Sequence, residues 1–570
     1  MKKISGFWGL TSKEILHLIG LISVAYLPVL GFRLLRTAGD EKVYASQALE
    51  MAKAGRWFVQ TLHDVPDYYK GPFHYIALRL GMMLFGLCTW TTIYMNYLLI
   101  LAGALSVAAL VNRYKPHWKG AAVFSGSWFA LNLGIYSHAS ASQMEVELAS
   151  IFAIGLYFLS TTKTDARALR FWITAGILGW VKSPLHSVFL GVTGVLFWAV
   201  DGQLIRRLKN QQAWLGVTVG VLTCLLGYLP ALLLDHDNLI KYYVRRETLE
   251  KSTSGQRWSI AMESTLGFYL FPWLFAACAA YFHFIFKIKA NWKQTAFREP
   301  VLLGLCALVP SVAFFIWHPY RFENYNLPVI SGVILWLSVL MASAGGVWPK
   351  IYRMAWSLSF LLFLLVPSFV TALWMHFRPM PDWWPAWLVA LIWLLSLTSL
   401  YFLFMGGIHK RSADGIKLAW SSAFLYLAIG VLIAVLGERE IRDLRKYRDE
   451  IRSRGDHSEL TYYNLQRNIW SEWGMLSFWI GERVQSLHTP ELLKQAVEEK
   501  AVILVPSGES TENFKAFMKK EKPYVRYVAL PWRRWRTRGS SPSGKPLWKE
   551  AWDQRDLTVL EREYMIVRVY

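Results

Sequence analysis

Long apolar runs separated by short polar stretches rich in Lys and Arg dominate residues 1–437 of this chain. A helix needs about 20 apolar residues to cross the hydrocarbon core of a bilayer. Runs that meet this length to within a few residues lie at 14–35, 90–112, 119–137, 143–161, 167–181, 183–200, 213–234, 265–287, 299–317, 326–344, 351–374, 386–405 and 416–437. Each predicts a membrane-spanning helix. The stretch 73–88 is also apolar, but it is short and interrupted by Arg79, and we expect it to lie in or dip into the outer interface.

Basic residues arbitrate the topology, because cytoplasmic loops carry an excess of Lys and Arg. With 73–88 left out, Arg113/Lys115/Lys119, Lys163/Arg167/Arg170, Arg206/Arg207/Lys209, Lys287/Lys289/Lys293/Arg298, Lys350/Arg353 and Lys410/Arg411/Lys417 fall on one side with Lys2 and Lys3. Counting 73–88 as a span scatters them. We therefore expect thirteen spans, with the N-terminus cytoplasmic and the C-terminus outside. The least regular link is 167–200, where two short spans meet at Lys182-Ser183-Pro184. The outer segments are then 36–89, 138–146, 235–264 and the short 318–325.

The pattern changes after residue 437. Residues 438–570 are polar, with a charged helical start from Glu438 to Arg454 and strand-like runs at 501–505 and 564–569. They predict a small mixed α/β domain outside the membrane. Its basic run, Arg533 to Arg538, reads either as a seat on anionic headgroups or glycans or as a solvated loop.

Composition agrees with a polytopic membrane protein: of 570 residues, 54% are hydrophobic and 29 are Trp. The net charge of +22 does not imply nucleic acid, because most of the basic residues sit in the loops between spans or in the tail, where topology and anionic lipids account for them. The four cysteines lie inside apolar segments, with no CxxC spacing and no disulfide framework. The first apolar run is longer than a signal-peptide core and lacks a small-residue cleavage site.

Chemistry concentrates in the outer segments. Asp40 and Glu41 follow the first span, and His63, Asp64, Asp67 and Lys70 come soon after, with Tyr44, Ala48, Leu49 and Met51 near helical spacing between them. Carboxylates at a partly desolvated boundary can act as general bases, and a lysine can meet charge on a departing phosphate. The alternative is that Asp40 and Glu41 cap the helix that follows. Glu145 and Glu147 open a span, where an acid is costly unless paired or functional. Glu145 reads as a site carboxylate or a snorkelling surface group, and Glu147 as a buried pair partner. Lys182 reads chiefly as a helix end broken by Pro184, with a phosphate contact as the alternative. The segment 235–264 reads as an interfacial helix, with Lys241, Arg245 and Arg246 among aromatics, and a Ser-Thr-Ser-Gly turn at 252–255. Tyr320, Arg321 and Tyr325 lie in the stretch that opens the next span on that side; the plain reading is an aromatic belt with one arginine anchor.

The stretch Gly39-Asp40-Glu41 with Tyr44-Ala45, then Ala54-Gly55-Arg56-Trp57-Phe58-Val59, Val65-Pro66-Asp67-Tyr68-Tyr69-Lys70-Gly71-Pro72 and Leu84-Phe85-Gly86, resembles the bacterial branch of the GT-C glycosyltransferases. These are the polyprenyl-phosphate-sugar transferases that include aminoarabinose lipid A transferase and relatives of the protein O-mannosyltransferases. Further matches follow in order to about residue 340. Glu145 sits at the family's usual aspartate, Lys182-Ser183-Pro184 resembles its Lys-Gly-Pro, Phe271-Pro272-Trp273 its Leu-Pro-Trp, and Tyr325-Asn326-Leu327-Pro328 its Tyr-X-Leu-Pro.

The resemblance implies an α-helical GT-C fold with a periplasmic cavity in the bacterial inner membrane. It implies inverting transfer of a sugar from a polyprenyl-phosphate donor to a lipid A, glycan or protein acceptor. By it Asp40 is the expected base, with Glu41 beside it and Glu145 as a further catalytic carboxylate. Lys70 is expected on the donor phosphate, with Arg245, Arg246 and Arg321 as looser phosphate contacts, and Tyr69, Tyr320 and Tyr325 are assigned to substrate. The chain departs from the pattern at Tyr69, where the aminoarabinose enzymes carry Glu, and at Gly71, where Pro is frequent. In that subgroup the Glu and a His from the later outer loop can hold a metal. His236 does not match that position, so no zinc site carries over, although Asp40, Glu145 and other carboxylates are open to a divalent cation. The competing classes are a polyprenyl-lipid flippase, for which paired interrupted helices in matching halves are lacking, and a non-catalytic scaffold.

Overall fold

The structure is a computed structural model that describes residues 9–32, 41–62, 65–68, 70–114, 118–139, 143–162, 167–250, 269–292, 295–317, 323–344, 346–377, 386–408, 414–432 and 434, and in the tail 460–463, 484–487, 489–499, 502–505, 509–522, 524–535, 546–555 and 561–569. Its first half comprises α1 (Ser12–Phe32), α2 (Glu41–Lys53), α3 (Pro72–Phe85), α4 (Thr89–Arg113), α5 (Ala121–Ala130), α6 (Leu133–Ala139), α7 (Met144–Thr161), α8 (Leu169–Val181), α9 (Pro184–Val200), α10 (Leu204–Leu208) and α11 (Gln211–Leu234). A π-helical segment, Leu239–Glu250, follows. Helices Leu274–Asn291, Thr295–Trp317, Ile330–Ala342, Trp348–His376, Ala386–Leu403 and Gly415–Leu432 complete the bundle.

Among the described residues, 8 helices are long and apolar enough to cross a membrane, and five shorter apolar helices accompany them. These thirteen correspond one for one to the thirteen expected spans; the protein is a multi-pass membrane protein. The helix α3, made from the 73–88 stretch, stands outside the set. It buries His74, Tyr75, Leu78 and Gly81 and leaves Leu80, Met83, Leu84 and Phe85 exposed. Its Arg79 lies 3.8 Å over the Trp57 ring and donates to the Arg56 carbonyl, so the loop before it satisfies the charge.

The short α5 reaches only about 15 Å, half a bilayer core. Asn132 continues the crossing at the break: its amide donates to the Phe129 carbonyl at 2.6 Å and accepts from the Ile135 N–H at 2.9 Å, satisfying backbone groups freed between α5 and α6.

Contacts between loops sort as the charge pattern predicts. Tyr114 donates to Glu299 at 3.4 Å, Arg207 to the Thr162 carbonyl at 2.6 Å, Gly415 N–H to the Lys119 carbonyl at 3.0 Å, and Arg167 to Gln212. Each joins two segments expected on the cytoplasmic side. The contacts joining residues 60–74 to α7, to the α8–α9 junction and to residues 235–243 join only segments expected at the other end.

Aromatic residues fill the core. Phe124, Trp128, Trp273 and Trp356 pack on one another, and Tyr136 donates to the carbonyls of Ala25 and Tyr426 at 3.1 and 3.0 Å. The helix α11 buries only Gly216, Gly220, Cys224, Gly227 and Ala231, a small-residue seam against α8, while Leu222, Leu225, Leu226 and Leu229 face outward. Between helices in lipid, close backbone approach supplies the packing energy. A Cβ at Gly220 would lie 2.9 Å from the Trp172 carbonyl oxygen, and at Gly176 2.6 Å from that of Gly220. Gly220→Leu is therefore expected to cost about 1–3 kcal/mol by overpacking, read as a lower thermal midpoint in detergent. Leu222→Ala, on the outward face, is expected to stay within about 0.5 kcal/mol of wild type.

In the tail, β3 (Leu460–Tyr463), β4 (Val484–Leu487), β5 (Val502–Val505), β6 (Tyr527–Trp535) and β7 (Glu561–Val569) form a sheet of order β4-β3-β5-β7-β6, after the two-residue strands β1 (Thr61–Leu62) and β2 (Val65–Pro66) of the first outer loop. The first two pairings, β3 with β4 and with β5, are parallel, and the others are antiparallel. Leu487, Leu493, Val497, Ile503, Phe514 and Val567 make its core with helices Pro490–Glu498 and Glu509–Glu521. Both strand-like runs are strands. The basic run is not simply a loop: Arg533, Arg534 and Trp535 end β6, with Arg533 opposite Glu563 on β7. Residues 536–538 and the expected helix 438–454 lie outside the described residues.

Candidate functional site

The first outer loop folds back on α2. Tyr44, Ala48, Leu49 and Met51 are buried, as their spacing predicts. The Gln47 side-chain amide donates to the Asp67 carbonyl at 2.8 Å and to its carboxylate at 3.3 Å, and Thr61 donates to Glu50 at 2.8 Å. Gln60 donates to the Lys70 carbonyl at 3.0 Å. These buried polar bonds hold the strand pair β1–β2 and deliver Lys70, itself buried, to the start of α3.

Gly71 then meets the α8–α9 junction. Its N–H donates to the Lys182 carbonyl at 3.2 Å. A Cβ here would overlap the Trp180 carbonyl and lie 3.1 Å from the Tyr228 hydroxyl. Glycine at this position thus matches the close approach of two backbones.

Lys182 ends α8, as the sequence predicts, and also does more. Its Nζ lies 2.7 Å from Glu145 Oε1, and both side chains are buried. Glu145 is therefore not a snorkelling surface group. Two residues on, Glu147 points about 200° around α7 and meets His74 Nδ1 of α3 at 2.7 Å, fully inside the bundle. The Tyr44 and Tyr75 rings pack edge-on against this pair. One turn of α7 thus ties α3 on one face and the α8–α9 junction on the other.

The later outer segment closes the cluster. Tyr243, on the π-helical segment, donates to the Lys182 carbonyl at 3.1 Å, and the neighbouring Tyr228 hydroxyl donates to the Gly179 carbonyl at 2.7 Å. Tyr68 donates to Asp235 at 3.0 Å, and Asn238 to the other oxygen of that carboxylate at 2.8 Å. Burial, reinforced by the bond to Asp235 and opposed by Arg56, pushes the Tyr68 phenol well above its usual range, so it remains a neutral donor.

Of the expected site residues, Glu145 pairs with Lys182, and Lys70 is set beside them through the bond from Gly71 N–H to the Lys182 carbonyl. Arg245 is exposed on the π-helical segment. Glu41 begins α2, Arg246 lies on the π-helical segment and Tyr325 in the 3-10 helix Glu323–Val329, but their side chains lie outside the described residues, as do Asp40, Tyr69, Tyr320, Arg321 and the 252–255 turn altogether. Sequence reasoning missed His74, and it read Tyr243 only as one of the aromatics of the 235–264 segment. A histidine four residues after Lys70 in an otherwise apolar helix, with an unassigned Glu147, was the available signal. Among the described residues no group of three or more His, Cys, Asp or Glu is placed to hold a metal ion.

No protein-family model and no curated protein matches the chain. Among solved structures, it is similar to the crystal structure of ArnT from Cupriavidus metallidurans bound to undecaprenyl phosphate, with 16% identity, a TM-score of 0.64 and 97% of each chain covered. The apo state of the same protein matches at 17% identity and a TM-score of 0.63, again over 97% of each chain. At such identity the likeness is one of fold, and it spans both the bundle and the tail. That likeness, over a bundle whose eight long and five shorter apolar helices fall at the thirteen expected spans, gives this chain the GT-C fold.

Proposed function

We propose that the protein is an inverting glycosyltransferase of the bacterial inner membrane that moves a sugar from a polyprenyl phosphate to a lipid A, glycan or protein acceptor. The observation that carries this reading is the bond from Gly71 N–H, next to buried Lys70, to the carbonyl of Lys182 in the Glu145–Lys182 pair, at one end of a bundle whose fold is shared with a protein solved with undecaprenyl phosphate bound. Asp40, with Glu41 beside it, takes the acceptor hydroxyl proton as that oxygen bonds to the anomeric carbon. The carbon–phosphate oxygen bond breaks on the opposite face, and the phosphate leaves with the electron pair, its charge met by Lys70. Glu145 holds Lys182 toward the same region. Arg245, Arg246 and Arg321 are further phosphate contacts, and Tyr69, Tyr320 and Tyr325 contact substrate. In this reading residues 1–437 form the catalytic domain, with the N-terminus cytoplasmic, and 438–570 form a periplasmic domain.

Mass spectrometry of lipid A and total surface glycolipid, from cells with and without the protein, tests the reading. One sugar-sized increment is expected to vanish in the deletion and with Asp40→Asn, the variant slowing transfer by at least about 10²-fold as loss of a general base does. Full transfer by a normally expressed Asp40→Asn protein overturns the base assignment. Consumption of a lipid-linked sugar in detergent, where no two membrane sides exist, separates transfer from flipping.

A further inference from the structure

The helix Trp348–His376 carries an outward stripe, Leu361 (60% exposed), Leu365 (60%) and Phe369 (59%), that marks its lipid face. His376, seven residues after Phe369, continues that face at the helix's last turn. The ring of Trp552 from the tail stacks on His376 with centroids 4.0 Å apart, and His376 Nε2 lies 2.9 Å from the Trp552 carbonyl. Phe377 packs edge-on against the same indole. Helix Leu547–Gln554 is therefore fixed over the lipid-facing side of a span at His376, three residues beyond the apolar window that ends at Leu373. Trp548 lies one turn from Trp552 on the same face and is 60% exposed.

We propose that helix Leu547–Gln554 is an interfacial anchor that seats the tail domain on the phospholipid headgroup layer, with Trp548 as its inserted side chain. The headgroup region is roughly 5–7 Å deep on each side of the hydrocarbon core. Trp548 lies four residues from Trp552, about 6 Å along the helix, a distance that matches the depth of that layer. An indole has an apolar body and one N–H donor, which suits that layer. Lys549 and Arg555, both exposed, add attraction to anionic headgroups. The anchor is independent of the glycosyltransferase reading, since it needs only the membrane and the His376 contact.

Photocrosslinking of the full-length protein in native membranes tests it. Benzoylphenylalanine is placed at position 548, and in a second sample at Leu365 on the lipid-facing stripe. A phospholipid adduct at 548, alongside the one at 365, is expected. An adduct at 548 to protein or glycan alone, or none while 365 gives one, overturns the anchor. In nanodiscs, Trp548→Asp is expected to speed amide exchange across 547–554 by about tenfold and Trp548→Phe to leave it nearly unchanged. Unchanged exchange in Trp548→Asp likewise overturns it.

Discussion

Glu145→Ala is expected to destabilise the protein by about 3–5 kcal/mol, because it leaves the Lys182 ammonium buried with its counter-charge removed. The pair is tight at 2.7 Å, and neither side chain is more than 11% exposed. Loss of folded protein in detergent, followed by thermal unfolding, measures the effect. Glu145→Ala combined with Lys182→Met is expected to recover most of that stability, since replacing both members of a buried pair by apolar groups is often near neutral. Transfer activity is expected to stay low in the double variant. A double variant that recovers stability and full activity together removes Glu145 and Lys182 from the site and leaves them a structural strut.

Gly71→Ala is expected to act through displacement. The added methyl group meets the Trp180 carbonyl, which is backbone and has little freedom to yield. The chain must shift, and the bond from Gly71 N–H to the Lys182 carbonyl goes with it. The stability cost is about 1–3 kcal/mol, typical of overpacking. If Lys70, the adjacent residue, meets the phosphate as proposed, activity is expected to fall further, by about 10²-fold, since a misplacement of about 1 Å at a reacting group costs that much. Gly71→Pro tests the family pattern directly: although proline is frequent there, its ring carries the same Cβ, and it is expected to fail as well.

The thirteen spans and their grouping by side were legible because transfer into lipid is a local property of each run, and basic loops report sidedness without knowledge of packing. The exclusion of 73–88 rested on Arg79, a short run and the side on which it left the basic loops. The α/β tail was readable as a class from its strand-like runs, but its parallel β3–β4 and β3–β5 pairings were not, since pairing partners lie far apart in sequence. The site divides in the same way. Lys70 and Glu145 stand out as charges at a membrane boundary, whereas the partner of each acid depends on which helices touch. Lys182 looked like a broken helix end because the chain does break there; its ion pair comes from α7, 37 residues earlier. His74 was hidden in a helix read for its hydrophobicity, and Glu147 reaches it across 73 residues.

The two acids on the first turn of α7 find their partners at different moments of synthesis. When α7 leaves the ribosome, α3 has already been made, so Glu147 can meet His74 as it enters the bilayer. Glu145 must wait for the α8–α9 hairpin to supply Lys182. A nascent chain halted between these points has Glu147 joined to His74 while Glu145 still awaits Lys182. The last of the two ties, and with it the backbone clasp on Gly71, closes only when the α8–α9 hairpin docks, so this cluster is assembled late in biogenesis, by a helix pair that joins a bundle already begun.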